Sequence, residues 1–176
     1  MRIGLDVDGT VYDWDSSFRT ILKRLHGIEL PVSAEWDSIE ESITKEHWSS
    51  VWDSARIELF TGGSYYLGAQ DTVRQLIERK HDVIFITATP VGARAQRANM
   101  LFRDFPGISG VCFVNPMHDD KSLVKCDLYV DDKPEVIATL LAQGHNAVLI
   151  NRPWNKHVRS MMRIYTWEQL LAVVGA

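Results

Sequence analysis

Short apolar runs alternate with segments of helical period along this chain, and that alternation constrains its fold more than any other feature. The runs span residues 3–7, 82–86, 111–114, 128–130 and 147–150. Each reads as a strand. Strands of that kind joined by helices build a parallel sheet with helices packed on it, the α/β class. Five strands are expected. Residues 91–105 carry Val91, Ala95, Ala98, Leu101 and Phe102 on one helical face and stop at Pro106-Gly107. Pro134 suits a first helical turn; Val136, Ile137, Leu140 and Leu141 follow, and Gly144 ends the segment. Residues 165–174 are the expected closing helix.

The rhythm breaks once. After residues 3–7 the next strand begins at residue 82, far beyond an ordinary crossover. Ala69, Val73, Leu76 and Ile77 mark the crossover helix itself. Residues 14–66 are then a helical insertion. Its first helix carries Trp14, Phe18, Ile21, Leu22 and Leu25 on one face and closes at Gly27; another carries Trp48, Val51, Trp52 and Ala55. Thr61-Gly62-Gly63-Ser64 is turn chemistry that returns the chain to the sheet.

Composition removes some functions. Lys plus Arg number 19 against 23 Asp plus Glu, a net charge of −4. An acidic surface is poorly suited to gripping long nucleic acid. Cys112 and Cys126 lack metal-ligand spacing and read as buried apolar side chains in a reducing compartment. No run approaches the ~20 apolar residues that span a bilayer. Asp6 interrupts the run a signal peptide would need, so a cytoplasmic protein is expected.

The chemistry gathers at strand ends. Asp6-Val7-Asp8-Gly9-Thr10 leaves the first strand with two carboxylates two residues apart, able to face one spot. Such a pair can hold a hard divalent cation and divide labour as nucleophile and proton donor. Gly9 permits a sharp exit. Thr87-Ala88-Thr89-Pro90 closes the second strand with hydroxyl and N–H groups that suit a phosphate, or an ordinary helix cap. Lys121 follows the third strand, and Asp131-Asp132 end the fourth. Two adjacent acids after a buried strand call for positive charge among them. Ligands of open α/β sheets bind at these carboxyl ends.

These four positions together resemble the haloacid-dehalogenase-like phosphohydrolases: Asp6-Val7-Asp8-Gly9-Thr10 matches their first motif, Thr87 the second, Lys121 the third and Asp131-Asp132 the fourth. Within that superfamily the chain is similar to the 5′(3′)-deoxyribonucleotidases. The residues that carry this likeness are Asp8-Gly9-Thr10-Val11-Tyr12-Asp13-Trp14, Phe85-Ile86-Thr87-Ala88-Thr89-Pro90, Asp120-Lys121, Asp131-Asp132-Lys133-Pro134-Glu135 and Asn151-Arg152-Pro153-Trp154-Asn155. The resemblance implies a Rossmann-like three-layer core of residues 1–13 and 67–176, with a small helical cap, residues 14–66, inserted after the first strand. It implies Asp6 as nucleophile and Asp8 as acid and base. It implies Mg2+ held by Asp6, the Asp8 carbonyl and Asp132, supported by Asp131. Thr87 and Lys121 would bind the phosphoryl group; the motif is one residue longer than in some relatives, so Thr89 could share or take the hydroxyl role.

The cap would select a small-molecule nucleotide. Trp14 stands where relatives stack an aromatic on the base, and it equally fits the core-facing stripe of its helix. Trp48 and Trp52 read as cap core. Lys133 is a second candidate for substrate contact. Arg152, Lys156, Arg159 and Arg163 read as a solvated basic face, with Arg152 able to touch ligand; His118 reads as a loop residue. A homodimer is compatible with the likeness. The expected function is magnesium-dependent dephosphorylation of nucleoside monophosphates, with deoxyribonucleotides favoured. Other small phosphate esters such as sugar phosphates, or nucleotide binding without turnover, are the alternatives.

Overall fold

The computed structural model describes residues 1–31, 38–115, 120–159 and 161–175. Six strands form one parallel sheet: β1 (Arg2–Leu5), β2 (Asp82–Thr87), β3 (Gly110–Phe113), β4 (Leu128–Asp131), β5 (Ala147–Ile150) and β6 (Arg163–Ile164). Their order is β3-β2-β1-β4-β5-β6. Strand order reverses between β1 and β4, the place where a crevice opens at the carboxyl ends of a doubly wound sheet. Both Asp6 and Asp131-Asp132 emerge beside it.

The sheet has one strand more than the five expected from apolar runs. The sixth is two residues long, too short for any periodic signal, and pairs Arg163 with Leu149 and Ile164 with Ile150. The closing helix is correspondingly shorter than residues 165–174: α7 covers Glu168–Val173, with Trp167 buried just ahead of it and Tyr165 exposed.

Alternation along the strands sorts the core into two layers. Ile3, Leu5, Phe85, Val130, Val148 and Ile150 face the helices α4 (Ala69–Glu78), α5 (Arg94–Asp104) and α7. Ile86, Tyr129 and Leu149 face the opposite way, onto α6 (Pro134–Ala142). Gly4 belongs to that second face. A Cβ there would stand 2.8 Å from Ile86 Cδ1 and 2.9 Å from Cys126 Sγ, so only glycine lets those side chains close over β1.

Helix α5 is rotated from the sequence expectation. Its buried face is Ala93, Arg97, Met100 and Leu101, while Val91, Ala95 and Phe102 are exposed. A buried arginine on the apolar stripe breaks the binary pattern, and counting apolar residues alone turns the helix the wrong way.

Between β1 and α4 lie α1 (Trp14–His26), α2 (Ser38–Ser42) and α3 (Lys45–Thr61). Asp13 caps α1 by accepting from Ser16 N–H, and Gly27 ends it in the left-handed region at φ +68°. Thr44 caps α3, whose helical dihedrals break at Ala55 (φ −131°, ψ 18°). Phe18, Ile21, Leu22, Ile39, Val51, Leu59 and Phe60 form a separate cluster between these helices, with Trp48 and Trp52 packed against it. Leu25, expected on that face, is exposed. Trp14 packs against both this cluster and the main core.

Candidate active site

After β1 the chain turns back on itself: Val11 and Tyr12 N–H groups both donate to the Val7 carbonyl, at 2.9 and 2.8 Å. Gly9 makes the turn possible with φ +83°, and a Cβ there would lie 2.5 Å from Asp132 Oδ2. Any side chain would collide with that carboxylate. Arg152 fixes the turn from outside. It is buried, donates from Nε to the Gly9 carbonyl (2.5 Å) and from Nη2 to the Thr10 carbonyl (2.6 Å), and stacks 3.6 Å above the Tyr66 ring. Arg152 is therefore a brace of the loop and not part of a solvated face. Arg163 is also engaged, donating to Asn151, Asn155 and Val158.

Asp6, Asp131 and Asp132 are buried, and one carboxylate oxygen from each lies within 4.8 Å of the others. Lys121 Nζ sits among them, 2.6 Å from Asp6 Oδ1 and 2.6 Å from Asp131 Oδ2. Its place is set by a short turn capped by Asp120, which accepts from Ser122 N–H. Asp131 Oδ1 accepts from the Lys133 N–H at 2.9 Å. Asp132 accepts from Thr10 Oγ1 (3.0 Å) and Trp154 Nε1 (2.8 Å), and Asn155 Nδ2 donates to its carbonyl (2.8 Å). Burial pushes the carboxyls of Asp131 and Asp132 well above the usual range. The negative charge of Asp6 adds to the rise in both, and that of Asp131 adds further to Asp132. Three buried acids around one ammonium are an oxygen donor set with negative charge to spare, which suits a hard divalent cation.

Asp8 lies apart from this cluster. It is partly exposed, and its Oδ1 accepts from Arg97 Nη2. Burial of the carboxyl pushes its pKa up, against the pull of Arg97. Thr87 and Thr89 are both fully buried at the end of β2, their hydroxyl oxygens 3.0 Å apart. Register pairs Leu5 with Phe85, so Thr87 ends its strand level with the Asp6–Asp8 turn. The Lys133 side chain is half-buried at the start of α6. Trp14 is half-buried, its ring 5.3 Å from Phe18, 6.3 Å from Trp48 and 6.5 Å from Trp52. His118 lies outside the described residues.

A family model described as 5′ nucleotidase, deoxy (pyrimidine), cytosolic type C protein matches residues 1–175. The chain belongs to this nucleotidase family. Its relatives include a candidate nucleotidase of Oceanobacillus iheyensis, 27% identical over 97% of each chain. A candidate 5′(3′)-deoxyribonucleotidase of Chlorobaculum tepidum is 28% identical over 99% of this chain and 90% of its own. The nucleotidase fold is shared with a magnesium-bound hydrolase of the haloacid dehalogenase type from Bacillus subtilis: TM-score 0.66, 17% identity, 99% and 98% of the two chains covered. A haloacid-dehalogenase-like hydrolase of Streptococcus pneumoniae superposes equally well at 12% identity, with the same coverage. As a member of the nucleotidase family the chain is a phosphoric monoester hydrolase. Among the described residues no helix of this nucleotidase is long and apolar enough to cross a membrane.

Sequence reasoning missed four contributors: Arg97, Thr10, Trp154 and Asn155. Arg97 had a legible signal, a charge at the helical spacing Ala93, Arg97, Met100, Leu101. Thr10, Trp154 and Asn155 had none beyond lying in quoted motifs, because their work depends on where Asp132 ends up in space.

Proposed function

We propose that the chain hydrolyses nucleoside monophosphates, deoxyribonucleotides foremost, with Mg2+ and through an aspartyl-phosphate on Asp6. The observation that carries this reading is the buried cluster of Asp6, Asp131, Asp132 and Lys121 at the switch point of the sheet. Asp6, the Asp8 carbonyl and Asp132 would hold the ion, with Asp131 in support. When bound, it supplies positive charge that offsets charge on the phosphoryl oxygens and the nucleophile.

The chain's own groups divide the remaining work. A carboxylate oxygen of Asp6 forms a bond to phosphorus while the bond from phosphorus to the ester oxygen breaks. Asp8 gives its proton to that departing oxygen. Water then attacks phosphorus, Asp8 takes the water's proton, and the bond to Asp6 breaks to release phosphate. Lys121, already bonded to Asp6, is within reach of a phosphoryl group seated there; the Thr87 and Thr89 hydroxyls and neighbouring N–H groups supply further donors. Residues 14–66 act as a cap over this site, a reading supported by the hydrophobic cluster that their helices build apart from the core of the sheet, closed from outside by Ala93. The partly buried Trp14 would offer its remaining surface to the base, and Lys133 stands at the start of α6 beside Asp132.

A panel of phosphomonoesters tests the proposal: 5′ and 3′ deoxyribonucleotides, ribonucleotides, sugar phosphates and 4-nitrophenyl phosphate, each with Mg2+ and with chelator. Release of phosphate from deoxyribonucleotides that stops in chelator and returns with Mg2+ is the expected result. Full activity in excess chelator, or turnover confined to sugar phosphates, would overturn it.

A further inference from the structure

We infer that Arg97 is a positioning residue for Asp8, tying the orientation of that carboxylate to the seat of helix α3. The inference rests on the reading of Asp8 as proton donor. Arg97 is fully buried on α5, yet its guanidinium leaves that helix to meet the end of α3 and the turn that follows β1. One terminal nitrogen, Nη1, donates to the Phe60 carbonyl in the last turn of α3. The other, Nη2, donates to Asp8 Oδ1. The plane lies over the Tyr12 ring, with Cζ 4.1 Å from its centre.

Tyr12 reaches the same end of α3. Its hydroxyl donates to the Leu59 carbonyl (3.0 Å) and accepts from the Gly63 N–H (2.6 Å). Arg97 and Tyr12 thus hold the point where the inserted helices rejoin the sheet, and Arg97 holds Asp8 with the same group. A planar guanidinium presents its donors in a fixed fork, so the position of Phe60 and that of the Asp8 oxygen are geometrically linked.

Among the described residues, the charged groups that act on Asp8 include Arg97, Asp6 and Lys121. Lys121 Nζ is bonded to Asp6 and Asp131, whereas Arg97 is bonded to Asp8 itself. Occupying Oδ1 leaves Oδ2 to carry the transferable proton, and it selects one rotamer of a short side chain. Burial also makes Arg97 a weak device for stability. Among the described residues its Nε finds no hydrogen-bond partner, and a buried ion pair is often replaceable as a whole by apolar packing without loss. Its bond to the proton donor explains its presence better.

The test compares two substrates that differ in one atom: a deoxynucleoside 5′-monophosphate and its analogue with sulfur as the bridging atom. Base and sugar contacts are common to both. Oxygen leaves as a poor leaving group that needs a proton, whereas a thiolate leaves without one. The ratio of kcat/KM values, oxygen over sulfur, therefore reports proton donation and is independent of the fraction of protein folded. It is measured for wild type, Asp8→Asn, Arg97→Met, Arg97→Lys and the Asp8→Asn/Arg97→Met double variant.

General acid catalysis contributes about 10²- to 10⁴-fold, and misplacement by an ångström costs roughly 100-fold. Arg97→Met should accordingly lower the ratio by about 10- to 100-fold. Arg97→Lys should recover part of it, and Arg97→Met should change nothing further once Asp8 is Asn. Equal losses on both substrates in Arg97→Met and Arg97→Lys, beside a reduced ratio in Asp8→Asn, would overturn the inference and leave Asp8 as the acid. A further fall of the ratio in the double variant would also overturn it. An unchanged ratio in Asp8→Asn would remove the Asp8 reading itself and the inference with it.

Discussion

Asp132 is gripped from three directions. Thr10 and Trp154 donate to its two carboxylate oxygens and Asn155 to its carbonyl, while Gly9 packs against it with no room for a Cβ. Partners of this kind would orient Asp132 for the metal-binding role proposed for it, and losing one typically lowers metal affinity about 10- to 100-fold. Trp154→Phe keeps an aromatic ring, a smaller one, and removes the N–H. Calorimetric titration should show Mg2+ binding weakened by that order with melting temperature little changed; unchanged affinity would mean that Asp132 is oriented without Trp154. At this scale the sequence was legible where a residue's place follows from a strand end, as for Asp6, Asp8, Thr87 and Asp131-Asp132. It was illegible where a role depends on meeting a distant partner. Arg97 and Asp8 are 89 positions apart, and Arg152 and Gly9 are 143 apart; neither pairing leaves a trace in local spacing.

Apart from the five-residue α2, which the sequence did not announce, helices were legible in existence and less so in orientation. The stripe of α1 places Phe18, Ile21 and Leu22 in the core as expected, because no polar residue interrupts that stretch of it. The stripe of α5 contains Arg97, so an apolar count misplaces its face. Strand β6 escaped because two residues carry no period, and its pairing is dictated by β5 already being in place. The inserted helices present a sharper question in Trp14, the first residue of α1, which packs against Phe18, Trp48 and Trp52 and is only partly buried. Stacking on a nucleobase is worth roughly 1–3 kcal/mol. Trp14→Ala should therefore lower kcat/KM for a nucleoside monophosphate by about 5- to 150-fold, at ~1.4 kcal/mol per factor of ten. On 4-nitrophenyl phosphate, which has no base, the change should be small. Equal losses on both substrates together with a lowered melting temperature would assign Trp14 to packing alone.

Across the whole molecule, the order of strands does what local sequence cannot. A parallel sheet whose strand order reverses between β1 and β4 delivers two acidic strand ends to one crevice and brings Lys121 between them. The alternating apolar runs predicted the sheet class; the reversal follows from connections that cross over the sheet, which no single run records. The same architecture separates the two carboxylates of the first motif, Asp6 among acids and a lysine, Asp8 beside an arginine. Different surroundings for paired acids are what a nucleophile and a proton donor require. The central claim is that Asp6 attacks phosphorus, and the rate of Asp6→Asn on a deoxynucleoside monophosphate at saturating Mg2+ tests it most directly. With folding verified by melting temperature, kcat should fall by at least about 10⁴-fold, the order seen when a nucleophile is removed from a covalent catalyst. A kcat within tenfold of wild type would contradict the covalent mechanism.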